Sequence, residues 1–189
     1  MKPRVRYGDA VERVALGHHL RQWPWTLAGT PPLGIDVTGS DIDVVCSVDD
    51  YDGFATALWQ AFAQFDGFCL WQWIGSGHPI VARFFAEGWT FEVFGSKAKL
   101  RDQKAVRHFA IERRLLALAG DDLREAVLAS KEAGHKTEPA FALLLGLSGD
   151  PYDALLSIGR ADDADLSALL SSAGFTVRKN GKIPHAETH

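Results

Sequence analysis

The spacing of apolar residues changes character at Gly95, and no other feature limits the possible folds as much. Before it, Trp25 to Ala28, Asp41 to Val48, Phe68 to Ile74, Ile80 to Ala86 and Trp89 to Phe94 are short runs rich in β-branched and aromatic residues. Gly, Pro or Asp clusters bound them, which predicts strands. After it, Arg101 to Leu118, Asp122 to Ala133, Glu138 to Leu147, Pro151 to Ile158 and Leu166 to Ala173 all read as helices. Asp150-Pro151 is a strong start signal, because the carboxylate accepts orphan N–H groups and proline is tolerated in a first turn. Strands followed by helices predict an α/β (α+β) chain, a mixed sheet flanked by helices with a C-terminal helical lobe. The core is expected at residues 1–100, the lobe packed on it at 101–177 and a frayed polar tail at 178–189.

Two helices are expected inside the first half. Val11, Val14, Ala15 and Leu20 suggest one over residues 9–22, stopped by Pro24. Asp49 and Asp50 can cap a second running to about Gln64, with Phe54, Ala57, Leu58, Ala61, Phe62 and Phe65 as its apolar stripe. The last three strands, joined at Gly75-Ser76-Gly77 and Glu87-Gly88, should form a meander beside the first two. Gly29 to Gly39, with two prolines, reads as an irregular loop.

With 189 residues, 47% of them hydrophobic, the chain can build a real core, burying ~70% of its unfolded surface. A net charge of −4 argues against a DNA-coating protein, and no stable nucleic-acid binding is expected. Cys46 and Cys69 form no CxxC, and His18, His19, His78 and His135 lack metal-ligand spacing, so neither a disulfide scaffold nor a zinc site is expected. A charged N-terminus and short apolar stretches predict a cytoplasmic protein without a membrane partner.

The chemistry concentrates in residues 29–44. On a strand, Asp41 and Asp43 project from one face while Ile42 and Val44 point to the other. Two carboxylates side by side suit a hard divalent cation such as Mg²⁺. Upstream, Gly29 offers an unhindered N–H and Thr30 a hydroxyl, donors able to hold a polyphosphate anion.

Gly29-Thr30, the spacer and the apolar-flanked DxD resemble the signature of the polymerase-β-like nucleotidyltransferase superfamily. Leu27 to Val44 keeps the register of the minimal nucleotidyltransferases at Gly29, Gly34, Ser40, Asp41 and Asp43. Gly29 to Asp36, Thr137-Glu138-Pro139-Ala140-Phe141 and Gly149-Asp150-Pro151-Tyr152 further resemble a bacterial family of nucleotidyltransferase-like domains of unknown function. Pro31, Pro32 and Leu33 stand where minimal nucleotidyltransferases commonly carry a short helix with basic residues.

The resemblance implies a third carboxylate on a later strand, and Glu92, the acid within Thr90 to Gly95, is the candidate. It implies Mg²⁺ or Mn²⁺ held by Asp41, Asp43 and Glu92, and NTP phosphates held by Gly29 and Thr30 with Ser40 nearby. The expected reaction moves an NMP group from an NTP to a small-molecule or protein acceptor, with pyrophosphate leaving. The alternative is a catalytically silent fold that senses nucleotides or pairs with a protein, as in toxin–antitoxin systems.

Between Gln22 and Ala82 there are seven acids and no Lys or Arg, which leaves 20 basic against 17 acidic residues elsewhere. From Lys97 to Arg114 seven basic residues follow, and Lys104, Arg107 and His108 fall on neighbouring helix faces suited to nucleotide phosphates.

Overall fold

In the computed structural model, which describes residues 4–178, all five predicted strands are present. They are β1 (Trp25–Ala28), β2 (Ile42–Ser47), β3 (Asp66–Gln72), β4 (Ile80–Ala86) and β5 (Trp89–Ser96), in one sheet of order β1-β2-β5-β4-β3. The order follows from the connections. β1 pairs antiparallel with β2, helix α3 (Tyr51–Phe62) carries the chain on, and β3, β4 and β5 follow as an antiparallel meander. The last strand of the meander returns beside β2 in the sheet's parallel pairing, setting Ile42 opposite Phe91, Asp43 opposite Glu92 and Val44 opposite Val93.

Alternation along each strand gives the sheet two faces. One is apolar: Ile42, Val44, Cys46, Ala82, Phe84, Phe91 and Val93 are buried with Phe54, Leu58 and Phe62 of α3. The rings of Phe62 and Phe84 stack at 4.6 Å, and those of Phe84 and Phe91 at 5.0 Å. Each such buried ring contributes about 1.5–3 kcal/mol. The start of α3 is fixed by Asp50, whose Oδ1 accepts from the N–H groups of Asp52 and Gly53 at 3.1 and 3.2 Å.

The helix expected over residues 9–22 is broken into α1 (Tyr7–Arg13) and α2 (Leu16–His19) by Ala15, which takes a left-handed φ of 52°. The reason lies in the burial. Ala10 and Val14 lie four apart, as do Leu16 and Leu20, and all four are buried. A straight helix would turn Leu16 to the side opposite Val14, whereas the break returns both pairs to the core at a cost of about 1–2 kcal/mol. The stretch after Gly29-Thr30 contains a short 3₁₀ turn, Pro31–Leu33.

The chain divides into two units. The first holds the sheet, α1 to α3 and residues up to 106; the second comprises 33–38 and the helices from residue 107 onward. The boundary expected at residue 100 thus falls six residues later, and a piece of the Gly29 to Gly39 loop belongs with the helices. Helix α4 (Lys104–Ala119) is followed by α5 (Asp121–Glu132), α6 (Thr137–Leu144), α7 (Pro151–Ile158) and α8 (Asp163–Ser172). Ile35, Ile111, Leu115, Leu123, Phe141, Leu155 and Leu170 make the second unit's core. Segment 33–38 is held there by Ile35 and by the Arg124 guanidinium, which donates to the carbonyls of Leu33 and Gly34. Asp150 caps α7 as expected. Apart from Arg178, the expected tail lies outside the described residues. No helix among the described residues is long and apolar enough to cross a membrane.

Candidate active site

The second face of the sheet carries the acids. Asp43 in β2 and Glu92 in β5 are direct register partners in neighbouring parallel strands, so their side chains leave the same face about 4.8 Å apart at the backbone. The sequence separates them by the whole α3–β3–β4 excursion, and the meander's return brings them together. Asp41 stands two residues before Asp43, just ahead of the strand's first paired residue. It lies near enough to Glu92 to act on its charge.

Gly29 closes the other side of Asp43. Its predecessor Ala28 is Asp43's antiparallel partner, and Gly29 itself turns with φ +70°. A Cβ at Gly29 would fall on Oδ2 of the Asp43 carboxylate. Only glycine combines that close approach with the left-handed angle at little cost. Thr30, half-buried, follows immediately, so the two expected phosphate donors sit beside the acid. Ser40 precedes Asp41, and its carbonyl accepts from Nη2 of Arg4 at 2.8 Å. Arg4 also lies over the Trp89 ring at 3.2 Å, a contact that ties the N-terminal segment to the start of β5.

Burial pushes the Glu92 carboxyl above its usual range, the Asp41 carboxylate adds to the push, and the Arg83 guanidinium opposes it. Arg83 is the register partner of Glu92 on the adjacent strand β4. No motif spacing marks Arg83 in the sequence. Its signal was a lone charge in the otherwise apolar run Ile80–Ala86.

Among the described residues no three His, Cys, Asp or Glu side chains converge closely enough to hold an ion as they stand. The donor set is the in-register Asp43–Glu92 pair with Asp41 within electrostatic range. All three are hard oxygen donors, so the donor types, though not their present spacing, suit Mg²⁺ or Mn²⁺.

The basic residues expected on neighbouring faces of α4 divide. Lys104 and Arg107 are exposed, whereas His108 is turned into the helical unit with Ile111. Its Nε2 donates to the Tyr152 carbonyl at 2.9 Å, and its Nδ1 lies 3.6 Å from Oε1 of Glu138. One turn on, Glu112 is 3% exposed, and burial first, then the Glu138 charge, raise its carboxyl to about 8 against the opposing pull of Lys131. The motifs around Glu138 and Tyr152 thus meet at this polar cluster.

The mixed five-stranded sheet with its helices matches the fold of solved nucleotidyltransferase structures. The chain is similar to the Cid1 poly(U) polymerase with MgGTP bound, at 14% identity and a TM-score of 0.53 over 81% of this chain and 48% of that one. It is also similar to the same polymerase with Mg 3′-dATP bound, at 15% identity and 0.54 over 80% and 47%. A cytoplasmic RNA terminal U-transferase follows at 13% and 0.50, over 80% and 44%. The chain spans about half the length of these structures. The chain itself belongs to the family DUF4269, a domain of unknown function, whose pattern matches residues 9–158. No curated protein matches the sequence.

Proposed function

We propose that the protein is a divalent-metal-dependent nucleotidyltransferase, moving an NMP group from an NTP to an acceptor hydroxyl or phosphate. The in-register pairing of Asp43 with Glu92 beside the Gly29 turn carries this reading. Asp41, Asp43 and Glu92 would hold Mg²⁺ or Mn²⁺. Bound there, the ion supplies Lewis-acid polarisation of the phosphoryl oxygens and makes the acceptor oxygen more acidic. The Gly29 N–H and the Thr30 hydroxyl orient the β and γ phosphates, with the Ser40 hydroxyl close by. Lys104, exposed at the start of α4, is the basic residue proposed for the phosphates.

Glu92 takes the acceptor's proton. Its raised affinity for protons makes it a better base than an ordinary carboxylate. As the proton leaves, a bond forms between the acceptor oxygen and the α-phosphorus. The α-phosphorus bond to the bridging oxygen breaks, and pyrophosphate departs with those electrons.

A screen for pyrophosphate release over four NTPs and pooled hydroxyl and phosphate acceptors tests the reading. Release that requires Mg²⁺ and stops with a chelator is the expected result. NTP binding without any release in the presence of Mg²⁺ would instead identify a silent nucleotide sensor.

A further inference from the structure

The row of residues that contains the acids continues past Glu92. Across the sheet, Ala28 faces Asp43, Asp43 faces Glu92, Glu92 faces Arg83 and Arg83 faces Cys69, so all five occupy one line on one face. Arg83 is the only Lys or Arg in any of the five strands. Its guanidinium makes no hydrogen bond or ion pair among the described residues, and it is exposed. Two other arginines of this unit are engaged: Arg4 with Ser40 and Trp89, and Arg13 with Glu87 at 2.8 Å.

The line has a direction. The phosphate donors Gly29 and Thr30 follow β1 at one end, and each strand adds about 4.8 Å. Arg83 therefore stands about 10 Å from Asp43 and about 14 Å from Ala28 at the backbone, with Glu92 between it and the nucleotide side. The group beside Glu92 on that far side is the acceptor, because Glu92 takes the acceptor's proton. Three carboxylates on one face repel an anion, and a single unpaired guanidinium beside them reverses that preference locally, with a fork that matches phosphate or carboxylate oxygens.

We propose that Arg83 anchors the acceptor, and that the acceptor carries an anionic oxygen group, phosphate or carboxylate, next to its attacking oxygen. The inference rests on the nucleotidyltransferase reading above. A purely structural Arg83, serving only to balance Glu92, would alter metal affinity and leave anion binding alone.

Calorimetry on the full chain loaded with Mg²⁺ and the non-hydrolysable α,β-methylene ATP tests it, with inorganic phosphate and acetate as separate probes. One or both anions are expected to bind the wild type, to bind Arg83→Gln at least tenfold more weakly, and to recover most of that loss in Arg83→Lys. The tighter of the two probes tells a phosphorylated acceptor from a carboxylated one. Equal anion binding by wild type and Arg83→Gln, or none by the wild type, overturns the proposal while the analogue's own Mg²⁺-dependent binding keeps the reaction class. If the analogue fails to bind with Mg²⁺, the nucleotidyltransferase reading falls and this inference with it.

Discussion

Glu92 on the sheet and Glu112 in the helical unit are raised above the usual carboxylate range by the same physical recipe. Burial comes first, a neighbouring carboxylate second, and one basic side chain opposes both: Asp41 and Arg83 for Glu92, Glu138 and Lys131 for Glu112. Their surroundings differ. Glu92 is half-buried on a face where Asp43 is its register partner and an exposed arginine follows. Glu112 is 3% exposed, beside a histidine whose Nε2 is spent on a backbone carbonyl. A perturbed acid that a ligand can reach is a candidate site, whereas the same perturbation sealed behind side chains bears on stability. The raised proton affinity alone does not distinguish them.

The largest effect that could break this contrast is expected at Asp43. Asp43→Asn keeps the shape and removes the charge, so Mg²⁺-dependent pyrophosphate release should fall by roughly 10²–10³-fold or more, with the unfolding midpoint unchanged. Retained turnover would remove the sheet acids from the chemistry.

Glu112→Gln should show the opposite pattern, with stability moving and nucleotide binding unaffected. A carboxyl at about 8 in the folded chain and 4.5 unfolded binds its proton more tightly when folded. Its contribution to stability is therefore full below pH 4.5, is lost as pH rises from there towards 8, and is constant above. The loss is on the order of 3 kcal/mol at pH 7, so thermal melts should find Glu112→Gln more stable than wild type at pH 7 to 8, with the gap closing near pH 4.5. His108 and Glu138 face the same cluster, and the difference between wild type and Glu112→Gln isolates the one group.

Gly29→Ala sharpens the contrast from the phosphate side. The new methyl would meet the Asp43 carboxylate at a left-handed angle, so nucleotide affinity should drop by about tenfold or more and stability by about 1–2 kcal/mol. Calorimetry beside thermal melts separates the two. The smallest effect is a change of slope. Mg²⁺ must displace the Glu92 proton, so wild-type Mg²⁺ affinity should weaken at a higher pH than an ordinary carboxylate would dictate. Glu92→Gln should bind Mg²⁺ more weakly with that part of the pH dependence gone.

Much of this was legible in local pattern. The alternation of Ile42, Val44 and Cys46 against Asp41 and Asp43 revealed both the strand and the acid face, and Asp50 and Asp150 marked helix starts that the structure keeps. What stayed hidden depends on distant partners. Ala15 offers no glycine or proline to announce the break that buries Leu16 and Leu20. Segment 33–38 joins the helices because Arg124, some ninety residues later, binds its carbonyls. His108 shares helical spacing with Lys104, yet Tyr152 and Glu138 draw it inside. Arg83 acquires meaning only when β4 falls beside β5.

The central claim is that Asp43 and Glu92 hold a metal together. A crystal grown with Mn²⁺ and α,β-methylene ATP, measured for anomalous scattering, tests it most directly. The account predicts a Mn²⁺ peak bridging the two carboxylates at about 2.1 Å from an oxygen of each. Nucleotide bound with the ion elsewhere, and Asp43 and Glu92 both unliganded, would contradict it.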